Sequence, residues 1–415
     1  MHFYKERALG EKLKQLFSYF PVVVVSGARQ VGKTELVTHL FGDIAKLVTF
    51  DPIIDVGAAR EDPELFLNSQ TTPIILDEIQ YVPALTAVIK RKVDQNRVPG
   101  QYILTGSQQW EVMKNLSESL AGRAVFLDLD SFSLSEMANL YADKTYRPWL
   151  VRWLADRNEI EQNTSPKRIE INLYETLWTG SLPEATSLPR DVITDFHAGY
   201  IRTYIERDIR LLLTETDLVK FRKFYQLSSA LTAQEINFSE FGRELGADYK
   251  VVQKWLSVLQ ATFQWYEIPA YFNNPVKRIA KKPKGIFSDT GLACHLLGIP
   301  KPEIIAGHPM YGRLFESLVI REMMKQLALM RPRPNLYHWR SHKKQEVDLI
   351  VECDNRLYPI EIKGKSNPDK NDLSGITAFR QAYPRDRVAN GLIISAGERV
   401  YALSENDCVV PWNVS

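Results

Sequence analysis

Hydrophobic and polar positions alternate in different ways along this chain, and each pattern predicts its own kind of element. In the charged stretch from Glu6 to Phe20, Leu9, Leu13 and Leu16 recur at helical spacing, which predicts an amphipathic helix stopped by Pro21. The run Val22-Val23-Val24-Val25 that follows is short, continuous and β-branched, as in a strand covered on both faces of a parallel sheet. Pro73-Ile74-Ile75-Leu76 and Gln101-Tyr102-Ile103-Leu104 repeat that signature. From Phe132 to Leu213 the pattern is mostly helical, broken at Thr164-Ser165-Pro166 and Leu182-Pro183, which predicts a lid and connector. Between Phe221 and Gly298 come helical segments at Phe224 to Leu227 and Phe238 to Leu245. A turn at Gly246-Ala247-Asp248 then leads into Tyr249 to Phe263, with Val252, Trp255, Leu256 and Leu259 on one face. With Trp265 to Pro269 opening a β wing, this predicts a winged helix-turn-helix. A last helix, Tyr311 to Leu329, precedes two strands, Gln345 to Val351 and Leu357 to Lys363, joined by a turn at Asp354-Asn355.

These elements predict an α/β chain in four parts: an α/β core over 1–130, a helical lid and connector over 131–215, a winged helix over 216–300 and a second α/β domain over 301–415. The 415 residues, 45% hydrophobic, are enough for several cores and exclude a disordered or fibrous chain. Lys+Arg 52 against Asp+Glu 50 leaves a net charge of +2, so nucleic acid would have to be held by local patches. Cys294, Cys353 and Cys408 form neither a CxxC pair nor a metal-spaced cluster, which implies a reduced, cytoplasmic setting. Val22 to Val25, Ile74 to Leu76 and Leu392 to Ile394 are far short of the roughly 20 apolar residues that span a bilayer, so no membrane association is expected.

Chemistry enters directly after the first valine strand, at Gly27-Ala28-Arg29-Gln30-Val31-Gly32-Lys33-Thr34, followed by the helix-forming Glu35 to Leu40. In this strand-loop-helix context the glycines let backbone N–H groups wrap the phosphates of ATP. Lys33 reaches the β- and γ-phosphates, and Thr34 ligates Mg²⁺. The second strand ends in Asp77-Glu78: Asp77 would hold Mg²⁺ through water, and Glu78 would orient and polarise the attacking water, which favours hydrolysis over mere binding. The third ends in Thr105-Gly106-Ser107-Gln108, so Thr105 and Ser107 would sense hydrolysis if this strand is inserted between the first two; the plain alternative is an ordinary turn. Arg123, at the Gly122-Arg123 bend, is a candidate charge stabiliser, and so is Arg207 in the charged, aromatic stretch Tyr200 to Arg210, which also reads as an ion-paired helix face. Either arginine acting in trans would require a homo-oligomer.

Two further constellations lie downstream. Lys277, Arg278, Lys281, Lys282 and Lys284 crowd five bases into eight positions of the expected wing, which would contact phosphates of nucleic acid or lie on a solvated or protein-contacting hairpin. In the last segment, alternation puts Glu361 and Lys363 on one face, and a hairpin would bring Asp348 to the same edge. Asp348 and Glu361 would bind one or two divalent ions, Mg²⁺ or alternatively Mn²⁺. Lys363 would orient the attacking water or stabilise charge, and Glu316 would complete the acidic set from its helix. The seven histidines are scattered and none reads as a metal ligand, and the eight tryptophans, which do not cluster, read as core or interface packing.

On these residues, with Phe132-Ser133-Leu134-Ser135-Glu136, Gly180-Ser181-Leu182-Pro183-Glu184 and Tyr204 to Asp208, the chain resembles a family of prokaryotic ATPases. That family joins an AAA-like module of the ASCE P-loop class to a C-terminal region called DUF4143. Through Glu316, Asp348, Glu361 and Lys363 the tail resembles the PD-(D/E)XK nucleases, although no proline stands next to Asp348. The resemblance implies an AAA-like parallel sheet, a winged helix and a restriction-endonuclease-like α/β domain. The leading expectation is an ATP-dependent protein that engages nucleic acid, DNA favoured over RNA, and cleaves it with the C-terminal domain. The rival expectations are an ATP-driven switch whose silent tail binds a partner or operator, and a chaperone-like remodeller of proteins.

Overall fold

The computed structural model describes residues 4–50, 56–107, 120–155, 167–204, 209, 215–274, 278, 281–341, 343–384 and 386–415. The chain divides into two compact units, the first made of residues 1–132 with Leu182–Glu184 and Ser257–Gln264, the second of the remainder.

The first unit is built on five parallel strands, β1 (Val22–Ser26), β2 (Lys46–Thr49), β3 (Ile74–Asp77), β4 (Tyr102–Gly106) and β5 (Ala124–Asp128), in the order β2-β3-β4-β1-β5. The valine run forms β1 between β4 and β5, where every residue is buried. Covering a strand on both faces needs apolar side chains throughout, and each buried Val or Ile contributes about 1.5–3 kcal/mol. Val22, Val24, Ile74, Leu76, Tyr102 and Leu104 share one core with Ile89 and Val93 of the helix Leu85–Gln95. At the edge, β2 is mostly exposed. Insertion of β4 between β1 and β3 brings their C-terminal ends together, Ser26 beside Gly106 and Leu76 beside Leu104.

The second unit carries a small antiparallel sheet of β6 (Gln234–Glu235), β7 (Trp265–Ile268) and β8 (Lys284–Phe287) in the order β6-β8-β7. The helices Glu215–Ala230, Phe238–Leu245 and Tyr249–Ala261 precede β7, and Trp255 is buried beside Phe221 and Phe224 with ring centroids 6.2 and 5.6 Å away. A six-stranded mixed sheet follows: β9 (Asn335–Arg340), β10 (Glu346–Cys353), β11 (Arg356–Lys363), β12 (Gly391–Ser395), β13 (Tyr401–Ala402) and β14 (Asp407–Pro411), ordered β13-β14-β12-β11-β10-β9. Asp354 and Asn355 connect β10 to β11 with φ 48° and 62°, the two-residue hairpin geometry whose twist suits the flanking strands. A β-bulge between Val347 and Ile350 shifts the β10–β9 register beside Asp348, a device that re-aims side chains.

The stretch predicted as a lid and connector falls in this second unit apart from Ser131, Phe132 and Leu182–Glu184. Helix Leu134–Met137 starts with a capping box between Ser133 and Glu136, and the Leu134 N–H donates at 3.0 Å to the buried Glu322 on helix Tyr311–Leu327. The three cysteines are unpaired. Among the described residues no helix is long and apolar enough to cross a membrane.

Candidate functional site

In the first unit the side chains predicted for the nucleotide converge where β1, β3 and β4 end. Gly32 caps the helix Lys33–Phe41 with φ 87°, a left-handed conformation that glycine adopts without a Cβ penalty. Lys33 is 6% exposed and its Nζ donates to the carbonyls of Gly27 at 3.0 Å and Ala28 at 2.8 Å, folding over the loop that precedes it. The Thr34 hydroxyl lies 3.1 Å from each oxygen of Asp77, and Asp77 also accepts from Thr105 and, at 3.4 Å, from Thr49 on the neighbouring strand. Burial pushes the Asp77 carboxyl above its usual range, with the Glu78 charge adding to this, while the Thr105 and Thr34 hydroxyls and Lys33 pull it back.

Glu78 follows with φ 58°. Its N–H donates to the Thr105 hydroxyl at 3.2 Å, and its carboxylate accepts from Gln80 and, at 3.4 Å, from Ser107. Gln80 also donates to Ser107 at 3.2 Å. The end of β4 is therefore hydrogen-bonded to both members of the acidic pair, through Thr105 to Asp77 and through Ser107 to Glu78. Hydroxyl and carboxylate oxygens are the hard donors that Mg²⁺ takes, so the adjacent Thr34 and Asp77 fit that ion.

Arg123 lies elsewhere. Ala124, next to it, pairs with Val22 at the start of β1, whereas the phosphate loop leaves β1 after Ser26. At about 3.3 Å per residue that is about 13 Å along the strand. Arg123 is bonded through two nitrogens to Asp94 and donates to the Ala121 carbonyl at 2.9 Å. Within its own chain it is remote from the phosphate loop. Arg207 and Lys277 lie outside the described residues.

In the second unit Glu316, Asp348, Glu361 and Lys363 come together, and a second lysine stands among them. The β10–β11 register sets Leu349 opposite Ile360, which carries Asp348 opposite Glu361. Lys363 Nζ lies 2.8 Å from Glu361 and 3.7 Å from Asp348, and the Ile362 N–H donates to Asp348 at 2.8 Å. Lys284, arriving on β8, donates to Glu316 at 2.5 Å and stands 3.6 Å from the other oxygen of Asp348. Asp348 is 5% exposed, Glu361 2% and Lys284 7%.

The charges sort themselves by neighbourhood. Burial opposes ionisation of Asp348, but Lys284, Lys363 and the Ile362 N–H outweigh it, and its carboxyl is held below the usual range. Burial, then the Asp348 charge, drives Glu361 well above its ordinary value, with Lys363 opposing. Burial, again with Asp348, pushes Glu316 up to about 7 against the opposing Lys284 ammonium. Both lysines hold their protons more tightly than usual: burial works against them, and their carboxylate partners prevail.

The expected metal site is thus satisfied from within by two ammonium groups. Among the described residues no three His, Cys, Asp or Glu side chains form a group that could hold a metal ion. Two of the five wing bases need the same correction. Lys284 is buried in the carboxylate cluster, because β8 is the middle strand of its sheet and points this side chain inward. Arg278 lies over the rings of Tyr271 and Tyr337, 4.6 and 4.9 Å from their centroids, and 3.7 Å from Glu352. Lys281 and Lys282 are exposed. Sequence reasoning also missed Gly375: a Cβ there would meet the Glu346 carbonyl at 1.9 Å and the Glu361 carboxylate at 2.1 Å. Gly375→Ala is expected to destabilise the protein by about 1–3 kcal/mol through overpacking, read as a lower urea midpoint at unchanged slope.

Residues 19–138 match a family described as an AAA domain, and the first unit is accordingly an AAA-like P-loop ATPase domain. Residues 170–303 match the domain of unknown function DUF8612 and residues 311–414 the domain of unknown function DUF4143. Lys284 and the carboxylates it neutralises therefore fall in different family regions. Uncharacterized proteins of Mycobacterium tuberculosis and Mycobacterium bovis are each 29% identical over 409 residues, covering 98% of this chain and 83% of theirs. Among solved structures, a Walker-type ATPase of Pyrococcus abyssi is similar at 14% identity and TM-score 0.42, covering 71% of this chain and 96% of its own. The RuvB Holliday junction branch migration motor of Thermotoga maritima is similar at 14% identity and TM-score 0.30, covering 67% and 95%.

Proposed function

We propose that this protein is an ATP-hydrolysing switch whose C-terminal α/β domain serves as a binding module that does not cleave. The observation that carries the second half is Lys284: a buried ammonium between Glu316 and Asp348 supplies the positive charge that phosphodiester hydrolysis would draw from a divalent ion. The helices before β7 and the β6-β8-β7 sheet support a winged-helix reading, and the inward-turned Arg278 and Lys284 favour a protein partner over a nucleic-acid backbone.

In the nucleotide site the loop Gly27 to Thr34 would cradle the phosphates. Lys33 would leave the Gly27 and Ala28 carbonyls for phosphate oxygens, and Thr34 and Asp77 would hold Mg²⁺, which neutralises phosphate charge. Glu78 would take the proton of the attacking water. Thr105 and Ser107, bonded to Asp77 and Glu78, would pass the loss of the γ-phosphate to β4.

The test offers ATP and a panel of labelled linear, single-stranded and branched DNA and RNA, with Mg²⁺ or Mn²⁺, to wild type, Lys33→Ala and Lys363→Ala. Hydrolysis of ATP by wild type and Lys363→Ala, its loss in Lys33→Ala, and no strand cleavage by any of the three are expected. Cleavage by wild type that disappears in Lys363→Ala would replace the switch with a nuclease.

A further inference from the structure

Arg7 precedes the first helix, Gly10–Phe17, and yet it touches the phosphate loop. It is 6% exposed. Its Nη1 donates to the Val31 carbonyl at 2.6 Å, its Nη2 to the Asp130 carbonyl at 2.6 Å, and its guanidinium lies 4.9 Å from the centre of the Phe132 ring. Asp130 follows β5, and the same segment is tied to the end of β1, just before the loop, by the Leu129 N–H, which donates to the Ser26 carbonyl at 2.7 Å. The guanidinium therefore clamps one carbonyl of the loop to a backbone already fixed to the sheet.

The consequence lies in the next peptide bond. Val31 and Gly32 share a planar trans unit, in which the C=O and the N–H point in opposite directions. Holding the Val31 carbonyl toward Arg7 turns the Gly32 N–H away from it. Without such a hold the peptide would rotate readily, because Gly32 at φ 87° has no Cβ to lock it. The bond is also charge-assisted, so it polarises the peptide and strengthens the N–H as a donor. A Cβ at Gly32 would stand 3.3 Å from Arg7 Nη1, so guanidinium and glycine pack directly against one another.

We propose that Arg7 is a positioning residue for the nucleotide: it sets the Val31–Gly32 peptide so that the Gly32 N–H faces the phosphates before they arrive. The arginine touches no phosphate itself and acts through the loop. This rests on the ATP-binding reading above. Its signature is a loss of nucleotide affinity that saturation overcomes, because bound phosphates reimpose the same peptide orientation.

The experiment uses the full chain with Mg²⁺ and compares wild type, Arg7→Lys and Arg7→Gln. ATP and ADP binding are measured by calorimetry, ATP turnover by steady-state kinetics, and unfolding without nucleotide by urea. Lysine keeps the charge and the buried stem but lacks the planar fork that sets separate nitrogens on the Val31 and Asp130 carbonyls, and glutamine keeps a single amide nitrogen without charge. The expected result is ATP and ADP binding weakened about 10- to 100-fold in both variants. KM should rise by the same factor with kcat within about twofold, and the nucleotide-free urea midpoint should fall, since the Val31 and Asp130 carbonyls lose this donor, without unfolding the protein under assay conditions. Unchanged affinity in either folded variant overturns the proposal, as does a fall in kcat that tracks a fall in the urea midpoint. Failure of both variants to fold makes Arg7 a folding residue and overturns it as well. If wild type itself binds no ATP, the ATP-binding reading has failed; if wild type binds and the variants match it, only the role of Arg7 has.

Discussion

Glu78→Gln is expected to lower ATP turnover about 10²- to 10⁴-fold while leaving ATP affinity within a few-fold of wild type. The amide has the shape of the carboxylate and lacks its basicity. Its oxygen still accepts from Gln80 and Ser107, which now bond the Glu78 carboxylate, and the backbone N–H still reaches the Thr105 hydroxyl. What is lost is the acceptor for a water proton. Single-turnover hydrolysis alongside equilibrium binding separates the two effects, and turnover within tenfold of wild type would remove Glu78 as the base. Lys33→Ala should behave differently, losing affinity as well as turnover, since on the proposed reading its ammonium would leave the Gly27 and Ala28 carbonyls for the phosphates.

Lys284→Met is expected to destabilise the protein by about 3–5 kcal/mol at pH 8, because removing one partner of a buried ion pair strands the other. The loss should shrink toward pH 5. Glu316 already titrates near 7 in the folded protein, above its ordinary 4.5. A raised carboxyl contributes stability below its unfolded pKa and loses that contribution as pH climbs through the folded value. Without the Lys284 ammonium the folded value rises further, so alkaline pH strands an ionised Glu316 while acid pH discharges it. Urea unfolding of both proteins at pH 5 and pH 8 checks this, and an equal loss at the two values would mean that Lys284 acts by packing alone. Mg²⁺ or Mn²⁺ should also stabilise the variant more than wild type, since its carboxylates lack the ammonium that neutralises them.

The cluster of Lys33, Thr34, Asp77, Glu78, Thr105 and Ser107 was legible in sequence because its signals are local. Gly27 to Thr34 is contiguous, flanked by a β-branched run and a helix former, and Asp77-Glu78 and Thr105-Gly106-Ser107 each close an apolar run. Short-range patterning of that kind places a residue at the end of a strand. The insertion of β4 between β1 and β3, which sets Thr105 against Asp77, is a matter of strand order. Residue spacing leaves strand order open.

The carboxylate-lysine cluster was legible in half. Alternation along β11 and the turn at Asp354-Asn355 were enough to bring Asp348, Glu361 and Lys363 to one edge, because a hairpin register follows from local rules. Lys284 was misread. In sequence it closes a run of bases that looks like a solvated patch, since counting charges says nothing about which neighbour covers them. Its partners, Glu316 and Asp348, stand 32 and 64 positions away. Arg7 was equally hidden among the charges before the first helix, and its carbonyl partners at Val31 and Asp130 lie 24 and 123 positions off.

Covalent neighbourhood and the period of the pattern were enough for the glycine-rich loop after β1, for the strand ends that carry Asp77 and Glu78, and for the hairpin that holds Asp348, Glu361 and Lys363. Which buried charge met which was settled by packing between segments far apart in the chain. A buried ammonium or guanidinium must find its counter-charge or carbonyl wherever packing places one, and that choice is made across the fold and not along the chain.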